Sequence, residues 1–200
     1  MLVLVAGSPS RSNAQEYGVM LGYSYSGFPY PDSHGQSGRL RRAIPVGVFA
    51  RQSLSHALSI EEDVAFVTKG EGAGPGVLAR YLEAPLLVEF AVAKPRSAAS
   101  YGRPYLLAGP SVALRLSCEL TEPGLFGTTG CKTWIKDYGL RRFDAGVVTG
   151  FGLEFGKERR PRQQLELRYT RGIMDIGRAE HTRSHVVTVW FKATLPRQAP

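Results

Sequence analysis

The chain has no run of about 20 apolar residues, the length a membrane-crossing helix requires, and this excludes a helical membrane protein. It also has no internal repeat and no Pro/Gly/Ser-rich linker, so its 200 residues read as one domain. Acidic residues are the minority, 17 against 25 Lys and Arg, for a net charge of +8. A basic balance suits a nucleic-acid binder, but the cations are scattered or sit in loop-like stretches such as "GRLRR" (38–42) and "GKERRPR" (156–162), so no nucleic-acid partner is expected. "KGEGAGPG" (69–76) lacks the Gly-Lys-Ser/Thr ending of a phosphate loop and reads as a surface loop. His181 and His185 have a helical metal spacing but fall at a loop–strand junction, where that spacing does not converge them, and no metal or other cofactor is expected. His181 and Ser184 are the nearest approach to a hydrolase pair, with no orienting acid evident, so no catalytic residues are assigned.

Present in quantity are glycine (23), proline (13), tyrosine (9) and phenylalanine (9), a mixture typical of an all-β protein with many turns. Eight segments alternate in polarity with period two, the mark of a strand with two different faces. They are 17–28, 44–52, 58–70, 81–93, 104–116, 143–155, 163–173 and 185–195. Glu62 interrupts the apolar face of the third, and Pro85 predicts a bulge in the fourth. Long connections (27–43, 70–80, 117–142, 174–184) alternate with shorter ones (53–57, 94–103, 156–162). This is the plan of an eight-stranded antiparallel up-and-down barrel with both termini at the short-turn end.

Such a barrel is either a soluble carrier, lipocalin-like, with its apolar face inward around a hydrophobic ligand, or a membrane barrel with that face toward lipid. In "FDAGVVTGFGLEF" (143–155), Phe143, Val147, Phe151, Leu153 and Phe155 share one face, and Asp144, Gly146, Gly150, Gly152 and Glu154 the other. An eight-stranded interior is only just wide enough to be filled by side chains, and the apolar faces of eight such strands would overfill it. The opposite face is mostly Gly, Ala and Ser with a few charges of both signs, as a crowded lumen requires. Val147, Phe151, Leu153, Leu165, Leu167, Val187, Val189 and Phe191 are therefore expected to face lipid. Glu61, Asp63, Lys69, Glu83, Glu89, Arg115, Asp144, Glu154, Glu166, Arg168 and Lys192 are expected to form a paired polar network inside, since isolated buried charges cost several kcal/mol each. Tyr17, Tyr23, Tyr25, Tyr81, Tyr105, Tyr169 and Phe155 fall near strand ends, and some are expected in the aromatic girdles at the lipid–water boundary, with packing in the core as the alternative for any one of them. Cys118 and Cys131 bracket the longest loop, and a bridge between them would stabilise by roughly 3 kcal/mol in the chain-entropy model; two free thiols are the alternative. Residues 1–15 ("MLVLVAGSPSRSNAQ") read as a shortened signal-peptide-like segment, with a disordered N-terminal arm as the alternative, 16–195 as the barrel and 196–200 as a tail.

On "GVMLGYSYSGF" (18–28), "LSIEEDVAFVTKGEG" (58–72), "YLEAPLLVEF" (81–90), "RPYLLAGPSVALRL" (103–116), "FDAGVVTGFGLEF" (143–155) and "LELRYTRGIMDI" (165–176), in that order and spacing, the chain resembles the PorT-like outer-membrane β-barrel proteins of Bacteroidota. The resemblance implies export by a signal peptide to the outer membrane of a Gram-negative envelope and no enzymatic activity. The shortened N-terminus departs from it. The function expected is a structural, adhesion or surface-assembly and secretion-related role rather than a wide-pore channel. A monomer is expected in outer-membrane lipid, with envelope or secretion proteins engaged through the long loops. The competing functions are the lipocalin-like carrier and a barrel enzyme acting on outer-membrane lipid.

Overall fold

A computed structural model of the chain describes residues 15–27, 40–70, 76–92, 102–121, 128–130, 141–156, 162–174 and 183–196. Among them are ten strands: β1 (Gln15–Gly27), β2 (Arg41–Ala43), β3 (Val46–Ser53), β4 (Leu58–Gly70), β5 (Gly76–Ala91), β6 (Arg103–Thr121), β7 (Thr128–Gly130), β8 (Phe143–Phe155), β9 (Gln163–Gly172) and β10 (His185–Thr194). They form one antiparallel sheet in the order β10-β9-β8-β6-β5-β4-β3-β1, with β10 pairing back onto β1 from Gly18↔Thr194 to Gly27↔His185. Lipid offers no hydrogen-bond partners, so a sheet immersed in it must close in this way.

β2 and β3 are two parts of one wall strand. Both pair with β1 in a single register, Ser24↔Ala43 and Leu21↔Val46. The ladder is interrupted at Pro45, which has no N–H to donate, although its carbonyl still accepts from the Gly22 N–H at 2.8 Å. β7 hangs on β6 beyond the wall. Eight strands therefore enclose the lumen, and the start of β1 at Gln15 and the end of β10 at Thr194 both lie at the short-turn end.

Two expected segments, 58–70 and 143–155, coincide with β4 and β8. The others shift by one to a few residues, and β6 runs on to Thr121, into the stretch read as loop. The expected bulge at Pro85 is a correction. Pro85 pairs with Ser111 in unbroken register, and the register shift in β5–β6 lies between Arg80 and Tyr81, where Leu116 is the extra residue of the partner strand. Pro85 costs a ladder hydrogen bond without adding a residue, and only an added residue makes a bulge.

Burial alternates strictly along β9, from exposed Gln163 to buried Gly172. The faces are as expected. Val147, Phe151, Leu153, Leu165, Leu167, Val187, Val189 and Phe191 are all exposed on the outside, while Glu83 and Arg168 are buried within. This disposes of the lipocalin-like arrangement, which needs the reverse.

Inward glycines make room for large lumenal rings. A Cβ at Gly152 would lie 2.3 Å from the Tyr105 ring, and one at Gly22 would lie 2.7 Å from Trp190. Gly152→Val should therefore displace Tyr105 and cost about 1–3 kcal/mol, read by urea unfolding in lipid vesicles; a change below about 0.5 kcal/mol would contradict this packing.

Candidate functional site: the barrel lumen and its outer face

The inward positions of the wall strands stack into three charged tiers. At the short-turn end, Arg51 on β3 reaches Glu89 on β5 (2.7 Å) and Glu154 on β8 (2.5 Å). Arg162, from the turn before β9, folds over the same tier to Glu154 and Glu16, each at 3.3 Å.

The middle tier is the most buried. Arg168 on β9 meets Glu61 (2.9 Å) and Asp63 (2.5 Å) on β4 and Glu166 on its own strand (2.5 Å). Lys192 on β10, fully buried, pairs with Glu61 and with Glu166 at 3.1 Å. The Tyr105 hydroxyl donates to Glu166 at 2.6 Å. The Lys192 ammonium also stands 4.3 Å above the Phe49 ring, a cation–π contact in a water-poor site.

At the long-loop end, Lys69 on β4 bridges Glu83 on β5 (2.9 Å) and Asp144 on β8 (3.1 Å). The Ser184 hydroxyl donates to the same Asp144 oxygen at 3.2 Å. Apolar rings fill the space between tiers: Phe49 and Trp190 with Met20, and Tyr105 with Leu87, Leu107 and Val148. A cavity of about 20 Å³ remains between the middle and outer tiers, lined by residues including Ser24, Lys69, Thr170 and Thr188, with room for a single water.

Ten of the eleven residues expected in the interior network take part in these three tiers. The eleventh, Arg115, is half-buried and is opposite Tyr81 across the strand pair, with no ion pair among the described residues. Arg51, Arg162, Glu16 and Tyr105 belong to the network but were not assigned to it. For Arg51 and Tyr105 the alternation carried the signal, since each shares parity with known inward positions. Arg162 and Glu16 lie at a turn and a strand end, where alternation is silent. Of the seven aromatics near strand ends, Tyr81 and Tyr105 take the core alternative and are buried in the lumen, whereas Tyr17, Tyr23, Tyr25, Tyr169 and Phe155 are exposed outside.

An acid does reach Ser184, contrary to expectation, but Asp144 also holds Lys69, and His181 lies outside the described residues. His185 points away from Ser184, its Nδ1 2.5 Å from the Tyr169 hydroxyl on the outer face. Oxygens of Glu61, Glu89 and Glu166 approach within 4.8 Å, the one metal-like trio among the described residues. Arg51, Arg168 and Lys192 already neutralise those three carboxylates. Cys118 is disulfide-bonded. Cys131, the chain's other cysteine, lies outside the described residues, as do the segment 1–14, the loop core 71–75 and the tail 197–200.

Glu62 is outside, as expected, between Ala50 and Leu86. On the outer face Phe151 is flanked by Leu106 and Leu167, and Leu167 by Val189, so these residues form the middle of the apolar band. Val147 lies higher, beside Arg171.

No curated protein sequence matches the chain. Solved structures share its fold, these two among them. Neisserial surface protein A superposes with a TM-score of 0.54 at 12% identity, over 90% of this chain and 97% of that one. The outer membrane protein OprG from Pseudomonas aeruginosa gives 0.51 at 10% identity, over 92% and 98%. The family model described as outer membrane protein beta-barrel domain matches residues 8–178. The chain belongs to that family, and its closed eight-stranded wall, apolar outside and ion-paired within, is a small barrel of the Gram-negative outer membrane.

Proposed function

We propose that the protein is a non-conducting, non-enzymatic outer-membrane barrel, PorT-like in affiliation and monomeric. Its surface loops carry an adhesion or a surface-assembly and secretion-related role. The filled lumen is the observation that supports this best. Among the described residues, three tiers of ion pairs and four buried aromatic side chains, Phe49, Tyr81, Tyr105 and Trp190, pack the lumen, and the cavity beside Lys69 and Thr188 has room for about one water. A solute path would have to break pairs whose partners would then stand alone in a medium of low dielectric. With the interior closed and the wall committed to lipid, activity falls to the ends of the strands. β6 projects to Thr121 and carries β7 and the bonded Cys118, a built support for the longest connection.

Two measurements test the proposal together. Full-length protein in planar bilayers should show no sustained channel, and stable open events would overturn the non-conducting part. Replacing 122–140 by a short turn should leave a folded barrel, recognised by its faster gel migration before heating. The same replacement should abolish cell-surface attachment or assembly of surface components; a folded variant that keeps both would overturn the loop role.

A further inference from the structure

We propose that the outer face at the long-loop end, across β9, β10, β1 and β2, binds phosphate groups of an outer-leaflet glycolipid. The proposal is independent of the surface role above and rests on membership of the outer-membrane family. The first wall strand starts and the last one finishes at the short-turn end, so the long-loop end is taken to meet the outer leaflet. On β9 the outward face reads Leu165, Leu167, Tyr169, Arg171 from the short-turn end upward, all exposed. Arg171 therefore stands one outward step beyond Tyr169, beside exposed Val147 and one step below exposed Ile173. Its cross-strand neighbour is His185, which is hydrogen-bonded to Tyr169 at 2.5 Å. Two strands on, Arg42 is exposed opposite Tyr25, with its guanidinium 5.8 Å over that ring. Tyr23 packs edge-on against Tyr25 at 5.2 Å between centroids.

The tyrosines beside them, Tyr169 and Tyr25, assign both arginines to the lipid–water boundary in this proposal, and among the described residues no carboxylate pairs with either. Arg80 makes the contrast. It too lies at the long-loop end, and Glu119 satisfies it from within the chain at 2.6 Å. Arg42 and Arg171 thus offer planar, always-charged forks at a boundary where the apolar wall already requires a lipid. A phosphate is the anion whose geometry matches that fork bidentately. In an outer leaflet, phosphorylated glycolipid supplies it. The two arginines are three interstrand steps apart, about 14 Å along the surface, so they take separate phosphates. Tyr169 and Tyr25 present rings on which a sugar face or an acyl stem can rest.

The test uses full-length protein folded in detergent, with bisphosphorylated lipid A as the probe and native mass spectrometry as the readout. Wild type should retain the lipid. Arg42→Ala and Arg171→Ala should each weaken retention about tenfold or more, the usual worth of a hydrogen bond to a charged group. Arg171→Lys should recover part of the loss, and Arg80→Ala should change nothing. Lipid A stripped of phosphate should bind wild type as poorly as intact lipid A binds the double alanine variant. The proposal is overturned if wild type and the double variant retain lipid A equally. It is also overturned if Arg80→Ala loses as much as Arg171→Ala, or if phosphatidylglycerol is held as tightly as lipid A, which would mean attraction by charge alone. Arg42 and Arg171 are exposed and Arg80 is half-buried, and gel migration before and after heating verifies that each barrel is folded.

Discussion

Arg168→Met should destabilise the barrel by about 3–5 kcal/mol, the largest effect expected of any single lumenal change. The side chain is 3% exposed and holds three carboxylates at once, Glu61, Asp63 and Glu166. Methionine keeps the aliphatic stem but is shorter by the guanidinium group, so the charge and the volume of the fork are both lost and the acids are left to Lys192 alone. Lys192 reaches Glu61 and Glu166 but is not paired with Asp63. Urea unfolding in lipid vesicles measures the loss. Adding Asp63→Asn to Arg168→Met should recover part of it, because the amide removes the carboxylate left without a partner. A single variant as stable as wild type, or a double variant no better than the single, would show that the middle tier is not held by Arg168. The network is weak evidence for high stability in itself, since a fully apolar lumen of equal volume is often as stable as a buried ion cluster. Its more specific effect is on register. A strand slipped by one residue would turn Arg168 or Lys192 into hydrocarbon, so misregistered barrels are strongly disfavoured.

Leu167→Arg on the outer face should cost about 2–4 kcal/mol, the penalty for a cation near the bilayer midplane. Leu167 lies between Phe151 and Val189, in the middle of the apolar band and two positions below Tyr169. His56→Arg, in the exposed turn between β3 and β4, should stay within about 0.5 kcal/mol. Unfolding midpoints of the two variants in the same vesicles make the comparison, and equal, small effects would show that Leu167 does not meet lipid. Arg171→Leu provides the depth control. It replaces an outward cation assigned to the lipid–water boundary by a lipid-compatible side chain and should not destabilise the barrel.

The wall of this barrel was legible because its physics is local. β4 and β8 could be read to the residue, since a strand with lipid on one side and a crowded lumen on the other must alternate without exception. The same parity carried Tyr105, Tyr81 and Arg51 inward, although tyrosine near a strand end suggests a girdle. Their inner-face neighbours in the same strands, Leu107 with Ala113, Glu83 with Glu89, and Phe49, mark that side. The bulge was misread because proline is a visible signal and an extra residue is not. Nothing in "RLSCE" (115–119) distinguishes Leu116 as the residue that finds no partner in β5.

Strand number, closure, the identity of the lipid face and the presence of an inner charge network followed from the residues themselves, because each depends on period and composition along one strand. Which cation holds which acid was decided only when the sheet curled shut. Lys192 and Glu61 are 131 residues apart, and Arg168 and Asp63 are 105. Wall strands from opposite sides of a narrow cylinder bring them together, and register, shear and curvature, which set those meetings, are properties of all eight strands at once. The same holds outside, where Arg171 and Arg42 become unpartnered cations of one rim only after β10 closes onto β1.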